Sequence, residues 1–239
     1  MDYNNQTNQY YQPAEAFQEQ EPIGIYTAKT FGWMFLGLLI TFVVAMANYK
    51  TYAFYYLLAQ APYAIYILAI AEVAVVLVLS ARIHKLSIGA ARALFLTYAV
   101  LNGFVFSTYF VIYNLSTLVI VFAATSLFFG IMAVAGYVTK ADLSSLRGFL
   151  TGSLLFLLGF WVIGLFINLG RLELIMCTFG IFIFLAYTAY DTQKIRAFHQ
   201  IYAQDPAMAK KASIISALQL YLDFINLFIY LLRIVGKKK

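Results

Sequence analysis

Long runs of apolar residues, separated by short polar segments, follow one another along most of the chain. Each run has about the 20 residues that a helix needs to cross a bilayer, and the polar–apolar alternation of a membrane β-barrel is absent. The pattern therefore predicts an all-α bundle of seven transmembrane helices. The predicted spans cover about residues 31–49, 61–81, 90–112, 115–138, 146–167, 172–191 and 214–235.

The composition agrees with a membrane protein and excludes other classes. Of the 239 residues, 63% are hydrophobic and only 11% are charged, which no soluble domain matches. The single cysteine, Cys177, excludes a disulfide framework. The net charge of +6 is concentrated at helix ends and in the C-terminal tail, so it indicates contact with lipid headgroups and not with nucleic acid.

The domain organisation follows from the same pattern. Residues 1–24 are polar and rich in Gln, Asn and Tyr, which predicts a disordered tail. Residues 25–236 are predicted to form one transmembrane domain, and residues 237–239 a basic tail. At the start of the fifth span, Gly148 and Gly152 have the spacing of small residues at closely packed membrane helices.

The distribution of Lys and Arg predicts the orientation. The side that receives the N-terminal tail and the loops after spans two, four and six carries ten basic residues, and the other side carries six. We therefore predict a cytoplasmic N-terminus in the cell membrane. Seven full crossings place the basic C-terminal tail outside, against the rule. A last segment that is re-entrant or kinked around Asp223 is the alternative; we favour seven crossings.

Two aspartates lie within the last two apolar runs. Asp191 ends the sixth run and Asp223 lies well inside the seventh. An ionised carboxylate is costly in hydrocarbon, so such residues face the bundle interior or a water-filled cavity. For Asp191 the alternative is the end of a span at the membrane interface, because Lys194 and Arg196 follow it.

The turn between these spans decides whether the two carboxyl groups meet. If the first helix ends near His199 and the second begins near Ala209, the aspartates lie about 12 and 21 Å from the turn. Helix tilt or a longer loop reduces this offset of about 9 Å. Two carboxyls in one site share a proton near neutral pH, so the pair is predicted to be a pH-sensitive latch.

Other polar residues in the spans have open alternatives. Glu72 is either a protonated acid bonded to a neighbouring helix or a carboxylate that lines a cation path. Arg82 is either a snorkelling topology marker or the ion-pair partner of Asp191. Asn226 shares a helix face with Asp223 and is predicted to hydrate the same site.

The remaining candidates are predicted to have simpler roles. Gln219 also lies on the face of Asp223. Arg233 is predicted to anchor its helix at the interface. His84 and His199 lie at loop edges without metal-ligand spacing, so both are predicted to be solvated.

Three segments around these residues resemble a known family. Residues 189–195 (AYDTQKI), 220–228 (LYLDFINLF) and 231–236 (LLRIVG) are similar to the C-terminal signature of the Bax inhibitor-1, or transmembrane Bax inhibitor motif, family. Span number and spacing agree over the whole membrane part. The resemblance implies a bundle in which six helices surround the seventh, and the short chain with its polar leader indicates a bacterial member.

The resemblance also implies a function and its residues. Prokaryotic members are linked to pH-sensitive calcium leak, and the family's di-aspartyl pH sensor matches Asp191 and Asp223. The arginine that bonds the first aspartate matches Arg82, and the acidic residue of the second span resembles Glu72.

The leading hypothesis is accordingly a pH-gated cation leak channel, with Ca²⁺ as permeant ion and no cofactor. Carboxylate oxygens suit Ca²⁺, so transient binding at Asp191 and Asp223 is expected. An intramembrane aspartyl protease is disfavoured, because Leu220-Tyr-Leu precedes Asp223 where those enzymes carry Gly-x-Gly, so no enzymatic activity is predicted. The third hypothesis is a regulatory protein that binds a membrane protease or stress machinery.

Overall fold

Helices account for the secondary structure of the part that the structure, a computed structural model, describes: residues 21–164, 166–167 and 169–236. A 3₁₀ turn, Leu143–Leu146, leads into the sixth helix. Every helix except the second is long and apolar enough to cross a membrane, which confirms the predicted seven-helix membrane fold. The helices are α1 (Ile23–Thr51), α2 (Ala53–Gln60), α3 (Ala64–Arg82), α4 (Ile88–Ile112), α5 (Leu115–Val138), α6 (Arg147–Gly164), α7 (Arg171–Ile201) and α8 (Pro206–Val235).

Local sequence signals set several helix ends. Tyr52 adopts a left-handed conformation with φ 57°, which separates α1 from α2. The Ser87 hydroxyl accepts a hydrogen bond from the backbone N–H three residues later and caps α4. Asp205 caps α8 in the same way at 2.8 Å, and Pro206 occupies the first helical position, where its missing N–H costs nothing.

The last two helices are longer than their apolar runs. Helix α7 continues ten residues past Asp191 to Ile201, close to the helix end expected near His199, and α8 begins at Pro206, before the helix start expected near Ala209 and the apolar span from residue 214. These extensions are polar on one face, but they bury Ile195 and Met208 in the core. Asp191 is therefore inside a helix and not at its end. Residues 1–20 of the predicted N-terminal tail and all of the predicted C-terminal tail, 237–239, lie outside the described residues.

Helix α8 is the most buried of the seven long helices. It packs against α1, α4, α5 and α7, whereas α3 packs on α4 and α6 packs on α7. The outward surfaces of α3, α5 and α6 expose large aliphatic and aromatic side chains, as expected for helices in contact with lipid. The enclosure of α8 by all six other spans stays a prediction.

Polar contacts between α1 and α8 show the relative direction of these two helices. Three hydrogen bonds join the two helices: Tyr26 Oη to the Ala209 carbonyl (3.0 Å), Thr30 Oγ1 to Ser213 Oγ (2.8 Å) and Thr41 Oγ1 to Tyr221 Oη (2.6 Å). The partners differ by 183, 183 and 180 residues, so the helices run parallel. Helix α8 is continuous over 30 residues and does not turn back at Asp223, so the re-entrant alternative is wrong.

A glycine allows α5 to approach α7 beside Asp191. A Cβ atom at Gly136 would lie 2.2 Å from the carbonyl oxygen of Ala189, which only glycine avoids. By contrast, a Cβ at Gly148 or Gly152 would meet nothing within 4 Å. The predicted close packing at that pair is therefore wrong, because the loosely attached α6 leaves these glycines facing open space.

We expect Gly136→Ala to destabilise the bundle, because α5 must move away from α7. The expected loss in the free energy of unfolding is roughly 1–3 kcal/mol, as for other overpacked cores. Denaturant titration in detergent micelles measures it. The control is Gly130→Ala in the same helix, where the added methyl meets nothing within 4 Å. An equal effect of both variants would contradict the close approach.

Candidate functional site

Asp191 and Asp223 lie together in the buried interface between α7 and α8. Each aspartate is only 4% exposed. Lys194 Nζ lies 3.8 Å from Asp191 Oδ1 and 3.3 Å from Oε1 of Gln219, which is one turn before Asp223 on α8, so the two aspartates lie at neighbouring levels of one interface. The structure thus brings the two aspartates predicted from the sequence into one site.

The register of the antiparallel α7–α8 pair explains this proximity. Lys194 Nζ donates to Gln219 Oε1 at 3.3 Å, which places these residues opposite each other. Asp191 lies three residues before Lys194 on α7, and Leu222 lies three residues after Gln219 on α8. In an antiparallel pair these two positions are level, so Asp191 lies beside Leu222 and its neighbour Asp223. The offset of about 9 Å expected from equal helix ends is absent, because in this register the first six residues of α8, about 9 Å of helix, extend beyond the end of α7.

The cation at this site is Lys194. Its Nζ lies 3.8 Å from Asp191 Oδ1, and its side chain is 26% exposed. The rings of Tyr190 and Phe198 lie 5.8 and 5.2 Å from the ammonium group, so the lysine is held between aromatic faces on its own helix. The ammonium therefore contacts both α7 and α8 at the level of the aspartates.

Arg82 does not lie beside Asp191. It is exposed at the end of α3, a helix that packs mainly on α4. Within the described ranges, the ion pair to Asp191 comes from Lys194, so the predicted Arg82–Asp191 pair does not form. The physical reason is that α3 lies at the outside of the bundle, where Arg82 is directed to the surface.

Unpartnered polar atoms concentrate around the aspartates. In the described part of the chain, seven buried side-chain oxygens have no hydrogen-bond partner. Four of them lie on α7 and α8: Asp191 Oδ1, Thr192 Oγ1, Ser216 Oγ and Asp223 Oδ2. Buried polar atoms are normally satisfied by protein or by ordered water. The site therefore has the capacity to bind protons, water or a cation.

A second buried polar cluster lies on the other face of α8. Glu72 lies on α3, which packs on α4, and on α4 the Asn102 side chain donates from Nδ2 to Tyr98 Oη at 3.4 Å. Tyr98 packs edge-on against Tyr221, with ring centroids 5.6 Å apart. Glu72 Oε1 and Asn102 Oδ1 are both buried acceptors without a donor, an arrangement that a proton on Glu72 would satisfy.

The other candidates have ordinary structural contacts. Asn226 donates to the Leu222 carbonyl one turn earlier, at 2.8 Å. Arg233 pairs with Glu173 at the start of α7, at 3.2 Å, as suits an anchor at the helix end. His199 is half-buried and lies 2.6 Å from the Glu21 carbonyl, so the prediction of a solvated His199 is wrong.

A family model described as "Inhibitor of apoptosis-promoting Bax1" matches residues 25–239, which is almost the whole chain. The chain belongs to the Bax inhibitor-1 family. The resemblance predicted from the three C-terminal segments is thus confirmed. The family has a membrane-embedded bundle, and this chain is accordingly a multi-pass membrane protein.

Bacterial relatives match over nearly their full length. The inner membrane protein YbhL of Escherichia coli K12 is 37% identical over 223 residues, which cover 93% of this chain and 95% of YbhL. An uncharacterised protein of Deinococcus radiodurans is 37% identical, with 90% and 91% covered. One of Borreliella burgdorferi is 32% identical, with 93% and 97% covered. The similarity therefore extends over at least nine-tenths of this Bax inhibitor-1 family protein.

Sequence reasoning missed two features of the site. The sequence analysis uses Lys194 only as a sign that a span ends near Asp191, although its position three residues after Asp191 places it on the same helix face. The Thr41–Tyr221 contact was also missed, because both residues occur in apolar runs where hydroxyls are common and no spacing rule pairs distant helices. Only the packing of α1 on α8 reveals it.

We expect Lys194→Met to lower the free energy of unfolding where Asp191 is ionised, because the variant leaves a buried charge without its ammonium partner. The interaction between Lys194 and Asp191 in a double-mutant cycle should be on the order of 0.5–3 kcal/mol. The destabilisation caused by Lys194→Met should therefore be smaller by this amount in the Asp191→Asn background. It should also weaken at low pH, where the carboxyl is neutral.

Unfolding titrations in micelles at two pH values measure this interaction. Lys140→Met is the control, since Lys140 is exposed at the same end of the bundle. A Lys194→Met effect of the same size with and without Asp191 would rule out the ion pair.

Proposed function

We propose that this protein is a pH-sensitive cation leak channel, with Ca²⁺ as the permeant ion and the Asp191–Asp223 pair as its gate. The observation that supports it is the burial of both carboxyls at one level of the α7–α8 interface. In a structural core such groups are avoided, because each ionised carboxylate loses its hydration. In the proposed membrane orientation the N-terminus is cytoplasmic.

The closed state is proposed to hold one proton between the two aspartates. Both carboxyls have an oxygen without a hydrogen-bond donor, and a shared proton supplies one. Lys194 neutralises the remaining negative charge and joins α7 to α8 through Gln219. Protonated in this way, the interface has no net charge and the helices stay packed.

The open state is proposed to follow loss of that proton. Two carboxylates in one buried site repel each other, and a single ammonium group neutralises only one of them. Separation of α7 from α8 relieves the repulsion and admits water to the unpartnered oxygens. Opening is therefore expected to increase as the pH rises.

The ligand set suits passage and not storage of a divalent ion. A stable Ca²⁺ site supplies about six to eight oxygen ligands. In the described chain no group of three or more His, Cys, Asp or Glu side chains is placed to hold a metal. Two deprotonated carboxylates attract Ca²⁺ without enclosing it, and Glu72 and Asn226 are proposed as further polar positions along the path.

Flux into proteoliposomes tests the gate. We expect Ca²⁺ flux through the wild type to rise with pH, and the flux of Asp223→Asn to lose most of this dependence, because a neutral amide cannot titrate. Asp142→Asn, which alters an exposed carboxylate, is the control and should keep the wild-type profile. A normal pH profile in Asp223→Asn would refute the proposed gate, and a folded protein without flux at any pH would favour the regulatory hypothesis.

The two basic candidates should differ in the same assay. Arg82→Gln is expected to leave the pH profile unchanged, because Arg82 is exposed and distant from the aspartates in sequence and packing. Lys194→Gln is expected to shift the profile to higher pH, because loss of the ammonium favours protonated carboxyls. The reverse result would assign the latch to Arg82.

A further inference from the structure

A polar cavity, separate from the aspartate pair and from the Glu72 cluster, lies at the end of the bundle where α1 begins. It is a cavity of about 390 Å³ between α1, α4 and the turn from α7 to α8. This volume is within the usual range for ligand pockets. Because three separate parts of the chain form its walls, a ligand bound there would contact all of them. The proposed channel gate has no residue in this cavity.

The charge of the cavity is predominantly positive. Lys29, Arg92 and Lys210 line it, against the single carboxylate of Glu21. Glu21 forms an ion pair with Lys29. Throughout the described ranges, Arg92 and Lys210 have no carboxylate within ion-pair distance. Two cations on different helices therefore face one cavity, and among the described residues neither has a carboxylate at ion-pair distance.

Aromatic side chains restrict the orientation of the Arg92 guanidinium and the His199 ring. The Arg92 guanidinium lies 5.2 Å from the ring centroid of Trp33, which limits the directions in which it donates. His199 is held by the Glu21 carbonyl and lies 5.2 Å from the ring of Tyr26. A planar arginine that is stacked on an aromatic ring is suited to an oxyanion with several acceptor oxygens.

We propose that this cavity binds the phosphate group of an anionic phospholipid. The ligand chemistry is a phosphate oxyanion that accepts from Arg92 and Lys210. The cavity lies at the ends of membrane-spanning helices, where lipid headgroups are concentrated, and basic pockets between such helices suit anionic headgroups. The proposal does not depend on ion conduction.

Titration of purified protein with lipid tests this site. Of the two tryptophans in the chain, only Trp33 lines the cavity, so a Trp161→Phe background makes its fluorescence a local reporter. We expect saturable changes with phosphatidylglycerol and not with phosphatidylcholine. The Arg92→Gln/Lys210→Gln variant should bind phosphatidylglycerol at least about tenfold more weakly, since every 1.4 kcal/mol is tenfold in affinity.

The matched control is Lys140→Gln/Arg147→Gln, which removes two exposed charges at the same end of the bundle but outside the cavity. It should bind like the reference protein, and melting curves confirm that each variant is folded. Saturation of the Trp33 signal by inorganic phosphate alone at millimolar concentration, with no tighter binding of phosphatidylglycerol, would identify free phosphate as the ligand and overturn the proposal; tighter binding of phosphatidylglycerol than of inorganic phosphate would support it. Equal weakening in both double variants, or equal binding of both lipids, would overturn the proposal.

Discussion

The burial of two carboxyl groups between α7 and α8 is the constraint around which this bundle is arranged. Ionised carboxylates in a low-dielectric interior are costly unless other groups compensate for lost hydration. Here one ammonium group, Lys194, lies beside Asp191, and oxygens of both aspartates have no donor. In any single protonation state, the protein groups described here therefore do not satisfy every buried oxygen of the site. A proton, water or a cation completes it, so its stability depends on what the solution supplies.

Polar contacts on the opposite face of α8 hold the helix that carries Asp223. In lipid, the hydrophobic effect does not favour one register of apolar helices over another, so hydrogen bonds and close packing must select it. The Thr41–Tyr221 and Thr30–Ser213 contacts link α8 to α1 in parallel register. On the α7 side, the aspartate site contains buried side-chain oxygens of both helices that have no hydrogen-bond partner among the described residues.

The sequence was sufficient for the class of fold and for the choice of aspartates, and insufficient for their surroundings. Length and apolarity identify spans because the bilayer imposes both. An aspartate inside such a run is conspicuous for the same reason. Which cation lies beside the aspartate depends on helix packing. Lys194 and Arg82 carry the same charge, yet of the two helices that carry them, α7 and α3, only α7 forms part of the site. The apolar span stops at Asp191 although α7 continues to Ile201, because hydropathy marks hydrocarbon thickness and not helix length.

The basic cavity and the aspartate pair share two helices, and this has a thermodynamic consequence. His199 and Lys210 of the cavity lie on α7 and α8, beyond the level of Asp191 and Asp223 toward the connecting turn. An anion that binds across the ends of these helices stabilises the arrangement in which its contacts form. If that arrangement differs between protonated and deprotonated aspartates, binding of the anion and of the proton are coupled, and each must change the affinity of the other by the same factor. The packing of α7 on α8 is then the single two-state element on which both ligands act.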